Sequence, residues 1–167
     1  MTTMDDILAR GACAGALLRR RSETVAVSES STGGLISAAL LSVPGASLYF
    51  IGGGVIYTRQ ARNALLQIGD EAMRGMRGAS EPYALMSART ARDRCGALWG
   101  VGETGATGPT GNRYGDAAGH SCIAVAGPRD RVITIETGSA DRVANMYAFT
   151  LAALDLLAEQ LKEAPSR

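Results

Sequence analysis

The chain has 167 residues, 46% of them apolar and 20% charged, which sets aside wholesale disorder and favours one domain over two. A formal net charge of +1 gives no electrostatic footprint for nucleic acid or an anionic membrane. Its basic residues include a single lysine, Lys162, and there is one histidine, His120, so neither a Walker phosphate loop nor a multi-histidine zinc site can be assembled.

In chain order, Ile7, Leu8, Ala12, Leu17 and Leu18 recur near helical spacing and predict a helix over residues 5–20, closed by Arg19-Arg20-Arg21. Thr24 to Val27 reads as a short buried strand. It runs into Ser28-Glu29-Ser30-Ser31-Thr32-Gly33-Gly34 and an apolar helix from Leu35 to Leu41. No charged residue occurs between Ser30 and Thr58, a length that would suffice for a membrane span. Pro44-Gly45 breaks it, so it reads as a buried helix, a turn and a strand from Leu48 to Tyr57. A helix from Arg59 to Ile68, an irregular stretch over 69–80 and a helix from Ser80-Glu81-Pro82 to Cys95 follow. Ala97 to Val101 reads as a strand that leads into a glycine-rich loop from Thr104 to Gly111. Ser121 to Ala126 and Val132 to Ile135 form a hairpin, and Val143, Tyr147, Leu151, Leu154, Leu157 and Leu161 mark a long amphipathic terminal helix.

This interleaving predicts an α/β fold, a single three-layer α/β/α domain with a mixed sheet over residues 1–167, its core spanning about 5–162. The three cysteines, Cys13, Cys95 and Cys122, are far apart and unpaired in spacing, so they read as small buried hydrophobes in a protein of a reducing cytoplasm. The N-terminus is acidic and lacks an apolar signal core, so secretion is not indicated.

Two hydroxyl- and glycine-rich loops follow strands. Ser30 to Gly34 opens a helix, where free backbone N–H groups would form either a plain cap or an anion site. Thr104 to Gly111 is the second such loop, and strand-end loops of α/β sheets are where ligands sit.

Val25 to Gly34, VAVSESSTGG, resembles the A-E-S-C-T-G-G signature of the CinA C-terminal domain family. Val43 to Ser47, Gly53 to Tyr57, Gly78 to Pro82 and Thr104 to Pro109 continue the resemblance in order, over about residues 5–160. The resemblance implies hydrolysis of the carboxamide of nicotinamide mononucleotide to the acid and ammonia. It also implies a three-layer fold, self-association into a homo-oligomer, and no metal or cofactor. Position by position, Ser30 matches the family's nucleophile and Ser31 stands where a cysteine is usual. Thr32, Gly33 and Gly34 match the helix-start loop, Tyr57 the tyrosine that ends the second strand, and Thr104, Gly105, Gly108 and Pro109 the second ligand loop.

The departures fall on charged positions. Where the family has a lysine resembling the base of a Ser-Lys pair, this chain has Arg62, which binds anions but is a poor base. Gly138-Ser139-Ala140 replaces a Gly-Asp-Arg segment, so a substrate-anchoring charge is missing there, with Arg142 two places on. Asn112 to Asp116 also departs. The expected catalytic set is Ser30 as nucleophile, Tyr57 as proton relay and Arg62 as anion or oxyanion contact. Ser31, Thr32, Gly33, Gly34, Thr104, Gly105 and Gly108 are expected to bind substrate. Either Tyr57 or His120 is the candidate base, His120 reading equally as a satisfied histidine at a strand start. Glu29 and Glu103 read either as orienting acceptors or as members of salt bridges. Two functions stay open: a diverged metal-independent amidohydrolase acting on a pyridine-nucleotide carboxamide, or a non-catalytic nucleotide- or anion-binding or assembly domain.

Overall fold

In the computed structural model, which describes residues 1–165, β1 (Val25–Glu29) occupies an interior position of a five-stranded sheet and is buried along its whole length. The sheet order is β2-β1-β3-β4-β5, with β2 Phe50–Val55, β3 Trp99–Ala106, β4 His120–Ala126 and β5 Arg131–Glu136. Strands β2 and β3 run parallel to β1, whereas β4 and β5 continue antiparallel, so the sheet is mixed as expected.

Side-chain alternation decides which helices cover which face. Val25, Val27, Val101, Ile123 and Val125 point to one face, where they meet α1 (Met4–Arg21), α2 (Leu35–Leu41) and α5 (Arg142–Glu163) through Leu18, Ile36, Leu40, Leu154 and Leu157. At the centre of the opposite face the side chains are small, Cys122, Ala124 and Ala126, and they pack on Ala84 and Ala88 of α4 (Glu81–Cys95). Close approach explains this. A Cβ at Gly100 would stand 2.0 Å from the carbonyl oxygen of Ala88, and one at Gly102 2.2 Å from that of Ala84. Helix α4 thus lies nearly on the backbone of β3. The result is the expected three-layer α/β/α arrangement.

Several boundaries differ from the sequence expectation for physical reasons. The strand expected over 48–57 is only β2; before it, Ala46–Leu48 forms a 3₁₀ turn, and buried Tyr49 donates its hydroxyl to the Leu40 carbonyl at 2.5 Å. The helix expected from Arg59 to Ile68 is one α-turn, α3 (Arg59–Ala61), followed by a π-helical turn over Arg62–Leu66. That wider turn carries the Arg62 side chain back to the Ile68 carbonyl at 2.9 Å. Strand β3 runs on through Thr104, Gly105 and Ala106 because β4 pairs with it to the end, Ala106 opposite His120, past the point where β1 stops. The second loop therefore begins at Thr107. Of the cysteines only Cys122 is buried; Cys13 and Cys95 are exposed, Cys13 lying off the α1 stripe of Ile7, Gly11, Ala14 and Leu18 that faces the core. No helix among the described residues is long and apolar enough to cross a membrane.

Candidate functional site

Two buried glutamates organise the loop that follows β1. Glu29 ends β1, is 1% exposed, and its carboxylate accepts the N–H groups of Gly34, Ile36 and Ser37 at 2.9–3.1 Å, together with the hydroxyls of Thr32 and Ser37. Helix α2 has no charged first turn and only Gly34 at its cap, so Glu29 supplies the anion that its N-terminus calls for. Glu103 of β3, 2% exposed, reaches the same loop from the neighbouring strand. Its Oε2 accepts the N–H of Ser30 and of Thr32, each at 3.0 Å, and its Oε1 accepts the Ser31 hydroxyl. Thr32 Oγ1 lies between the two carboxylates, 2.8 Å from Glu29 and 2.9 Å from Glu103, and its one proton is shared between them.

This arrangement corrects the expectation of an open anion site at the helix start. The N–H groups of Ser30, Thr32, Gly34, Ile36 and Ser37 are already occupied by the chain's own carboxylates. Neither glutamate belongs to an ion pair among the described residues, so the salt-bridge alternative gives way to the acceptor role. In sequence each glutamate is followed directly by a hydroxyl residue, Ser30 or Thr104, but only the pairing of β1 with β3 brings both carboxylates to one loop.

The strand ends open into a cleft of about 260 Å³ lined by Ser30, Tyr57, Arg62, Thr104 and Gly105. A second cleft of about 260 Å³ shares Tyr57, Gly105 and Asn112 with it and adds Ser31, Gly108 and Arg142. Thr32 is fully buried behind them, and Gly33 and Gly34 line neither cleft. Gly33 instead stands against Met146 and Gly34 against Val55. Ser30 lines the first cleft, and its Oγ makes no hydrogen bond to another described residue.

The two expected charged roles change. Arg62 lines the cleft, but its guanidinium is committed to the Ile68 carbonyl and to Asp70 Oδ1 at 2.7 Å, with a side chain only 11% exposed. Asp70, contacted first by Arg59 and then by Arg62, is held below the ordinary carboxylate range by those bonds. Tyr57 is 62% exposed and its hydroxyl accepts from Arg142 at 3.2 Å, so the arginine beside it is Arg142 and not Arg62. Arg142 also donates to the Gly108 carbonyl at 2.6 Å. The charge that seemed lost at residues 138–140 is thus delivered to the second loop from the first turn of α5.

Residues beyond the expected set, from α4 and from the second loop, complete the lining. Tyr83, Arg113 and Tyr114 border the first cleft, and the Tyr114 ring is flanked by the guanidinium groups of Arg113 at 5.0 Å and Arg77 at 5.6 Å. Asp116, its acidity increased mainly by its bond to Arg77, ties this loop to the 69–80 segment. Arginine and tyrosine in a departing loop were the only sequence signal for this wall. His120 lines neither cleft. Its Nδ1 meets Glu136 at 2.5 Å and its Nε2 meets the Ala79 carbonyl at 2.9 Å, two acceptors that call for a donor on each nitrogen. Burial is the largest single influence and disfavours charge on the ring. Glu136, the Ala79 carbonyl and Asp116 together outweigh it and raise the histidine's pKa. His120 is the satisfied histidine, not the base. No group of His, Cys, Asp and Glu suited to a metal ion occurs among the described residues.

Comparison with known proteins follows the same geometry. The family model for the CinA C-terminal domain matches residues 10–161. A CinA-like protein of Prochlorococcus marinus is 43% identical over 112 residues, covering 67% of this chain and 26% of that protein. A CinA-like protein of Gloeobacter violaceus is 36% identical over 159 residues, covering 94% of this chain and 37% of that protein. The chain therefore spans between a quarter and two fifths of the length of these relatives. Among solved structures, the competence/damage inducible protein CihA of Agrobacterium tumefaciens superposes with a TM-score of 0.86 at 28% identity, covering 95% of this chain and 96% of that one.

Proposed function

The chain belongs to the CinA C-terminal domain family, and from that premise we propose that it is a metal-independent amidohydrolase that releases ammonia from the carboxamide of a pyridine nucleotide. One observation carries the proposal: the two clefts, which share Tyr57, Gly105 and Asn112, are lined by Arg113 and Arg142, by Arg59 and Arg62 with their guanidinium groups on Asp70, by three tyrosines and by two loop serines. Such a lining suits a ligand with an anionic phosphate and a flat aromatic ring, since guanidinium groups bind phosphate and stack on rings. Ser30 lines the first cleft with a hydroxyl that no described residue engages, and hydrolysis of an unactivated amide needs a nucleophile of this type. Arg142 and Tyr57 stand as groups that hold the substrate. The free thiols of Cys13, Cys95 and Cys122 suit a reducing cytoplasm.

A second function is favoured by a specific pair. Because Arg62 is locked to Asp70 and Ser30 Oγ has no partner among the described residues, a non-catalytic nucleotide-binding domain would show this same geometry around Ser30. The deciding experiment is ammonia release by the purified chain from a panel of pyridine and purine nucleotides bearing carboxamides. Turnover of nicotinamide mononucleotide is the expected outcome. Binding of the nucleotide without ammonia release from any member selects the binding domain.

A further inference from the structure

Ala79 has a backbone conformation that costs a residue with a side chain. Its φ is +51°, in the left-handed region where alanine is strained and glycine is not. The residue is pinned on both sides. Its N–H donates to Thr104 Oγ1 at 3.2 Å, and its carbonyl accepts from His120 Nε2 at 2.9 Å, with the Cys122 thiol more distant at 3.6 Å. Gly78 and Ala79 line the first cleft, and a Cβ at Gly78 would stand 3.0 Å from the Tyr114 hydroxyl. Arg77, just before them, is paired with Asp116, whose Oδ2 lies 3.7 Å from His120 Nε2. Buried His120 therefore sits behind the junction of the 69–80 segment with the 112–116 loop, the two stretches that build this wall of the cleft. Strain of the Ala79 kind persists only while its surroundings hold it.

We propose that His120 is a positioning residue: its doubly protonated ring holds the Ala79 turn, and loss of the Nε2 proton frees the wall formed by Gly78, Arg113 and Tyr114 and weakens the cleft's hold on a nucleotide. For its ligand, the inference rests on the function proposed above. Both ring nitrogens face acceptors, Nδ1 the Glu136 carboxylate at 2.5 Å and Nε2 the Ala79 carbonyl. A neutral ring has only one N–H to give. The carboxylate draws the stronger bond, so that proton stays on Nδ1 and the Nε2 lone pair is set against the carbonyl oxygen. The repulsion falls on a strained residue. Burial opposes charge on the ring, and Glu136, the Ala79 carbonyl and Asp116 outweigh it. Of the other titratable or charged groups in this region, Arg77 is engaged by Asp116, burial pushes the Cys122 thiol of β4 up so that it stays neutral, and Glu81 of α4 accepts the Thr134 hydroxyl of β5 at 2.7 Å. The wall is thus firm below the histidine's titration and loosened above it.

The chain has one histidine, so its imidazole signal is unambiguous in NMR of the full chain. The test follows that signal, the amides of Gly78, Ala79 and Tyr114, and the affinity for nicotinamide mononucleotide across the histidine's titration. The expected result is one shared midpoint, with affinity falling at least about fivefold as pH rises through it. By reciprocity, bound nucleotide raises the imidazole pKa by a matching amount. His120→Ala loses the amide transition and binds weakly throughout, and any slope it keeps belongs to the nucleotide's own phosphate. Glu136→Gln removes the anion beside Nδ1 and moves the imidazole, amide and affinity midpoints down together. Should His120→Ala fail to fold, that joint shift carries the same weight. An imidazole that titrates without a response at Gly78 or Ala79, or a pH dependence of affinity unchanged in His120→Ala, overturns the positioning role. The two proposals fail separately. Amides that titrate with His120 in a chain that binds no nucleotide remove the ligand and keep the positioning role. Ammonia release and nucleotide binding that are both indifferent to His120 remove the positioning role and keep the amidase.

Discussion

His120 and Arg142 show how far a single side chain can be judged from its partners. The folded-state pKa of His120 is raised, so the stability that it contributes is complete below its unfolded value near 6.5 and is lost as pH rises through the folded value. In thermal unfolding across that range, wild type is expected to lose its advantage over His120→Asn as pH increases. A pH-independent difference would contradict the protonated, doubly bonded ring. Arg142 makes charged bonds to the Gly108 carbonyl and to Tyr57, and its removal unties the second loop from the segment after β2. Charge-assisted bonds of this kind are worth about 1.5–3 kcal/mol, or roughly 10- to 150-fold in affinity. Titration calorimetry should show nicotinamide mononucleotide bound that much more weakly by Arg142→Ala. Unchanged affinity would mean that the phosphate lies elsewhere.

At the scale of elements, the contact between α4 and β3 makes the sharpest demand on sequence. Gly102→Ala puts a methyl group 2.2 Å from the Ala84 carbonyl, which is helix backbone and cannot swing aside. Over-packing of this type costs roughly 1–3 kcal/mol, and each kcal/mol lowers the melting temperature of a chain this size by about 2–4 °C. A calorimetric scan showing no loss would mean that α4 can lift off the sheet. Helix α5 and strand β1 were legible in sequence because their periodicity or burial is local information. The π-helical turn at Arg62–Leu66 was not, since it depends on a carbonyl at Ile68 and a carboxylate at Asp70 that periodicity does not see. The same holds for the site. Ser30, Tyr57 and Thr104 were found through the loops that carry them. The filling of the helix start by Glu29 and Glu103 required knowing that β1 and β3 are neighbours.

For the molecule as a whole, the two edges of the sheet differ. Strand β5 begins with Arg131 and ends with Glu136, charges that discourage pairing with another sheet. Strand β2 has no charge, and Ile51 and Val55 on it are exposed along with nearby Leu41 and Leu48. We expect a second copy of the chain to cover this edge, giving light-scattering masses at micromolar concentration of at least twice 17.3 kDa, and Ile51→Lys to lower them. A monomer would overturn this. The pairing of α1 with α5 has a different consequence. Arg10 meets Asp155 at 3.4 Å while Arg21 meets the carbonyl of Ala164 at 3.2 Å, so the two helices run in the same direction. Met4 and Ala164 therefore stand at opposite ends of an 18-residue helix, about 27 Å apart along its axis at 1.5 Å per residue. A circular permutant of this fold needs at least about eight extended residues in all between Ala164 and Met4. A shorter bridge would have to unwind one of the two helices before the ring could close.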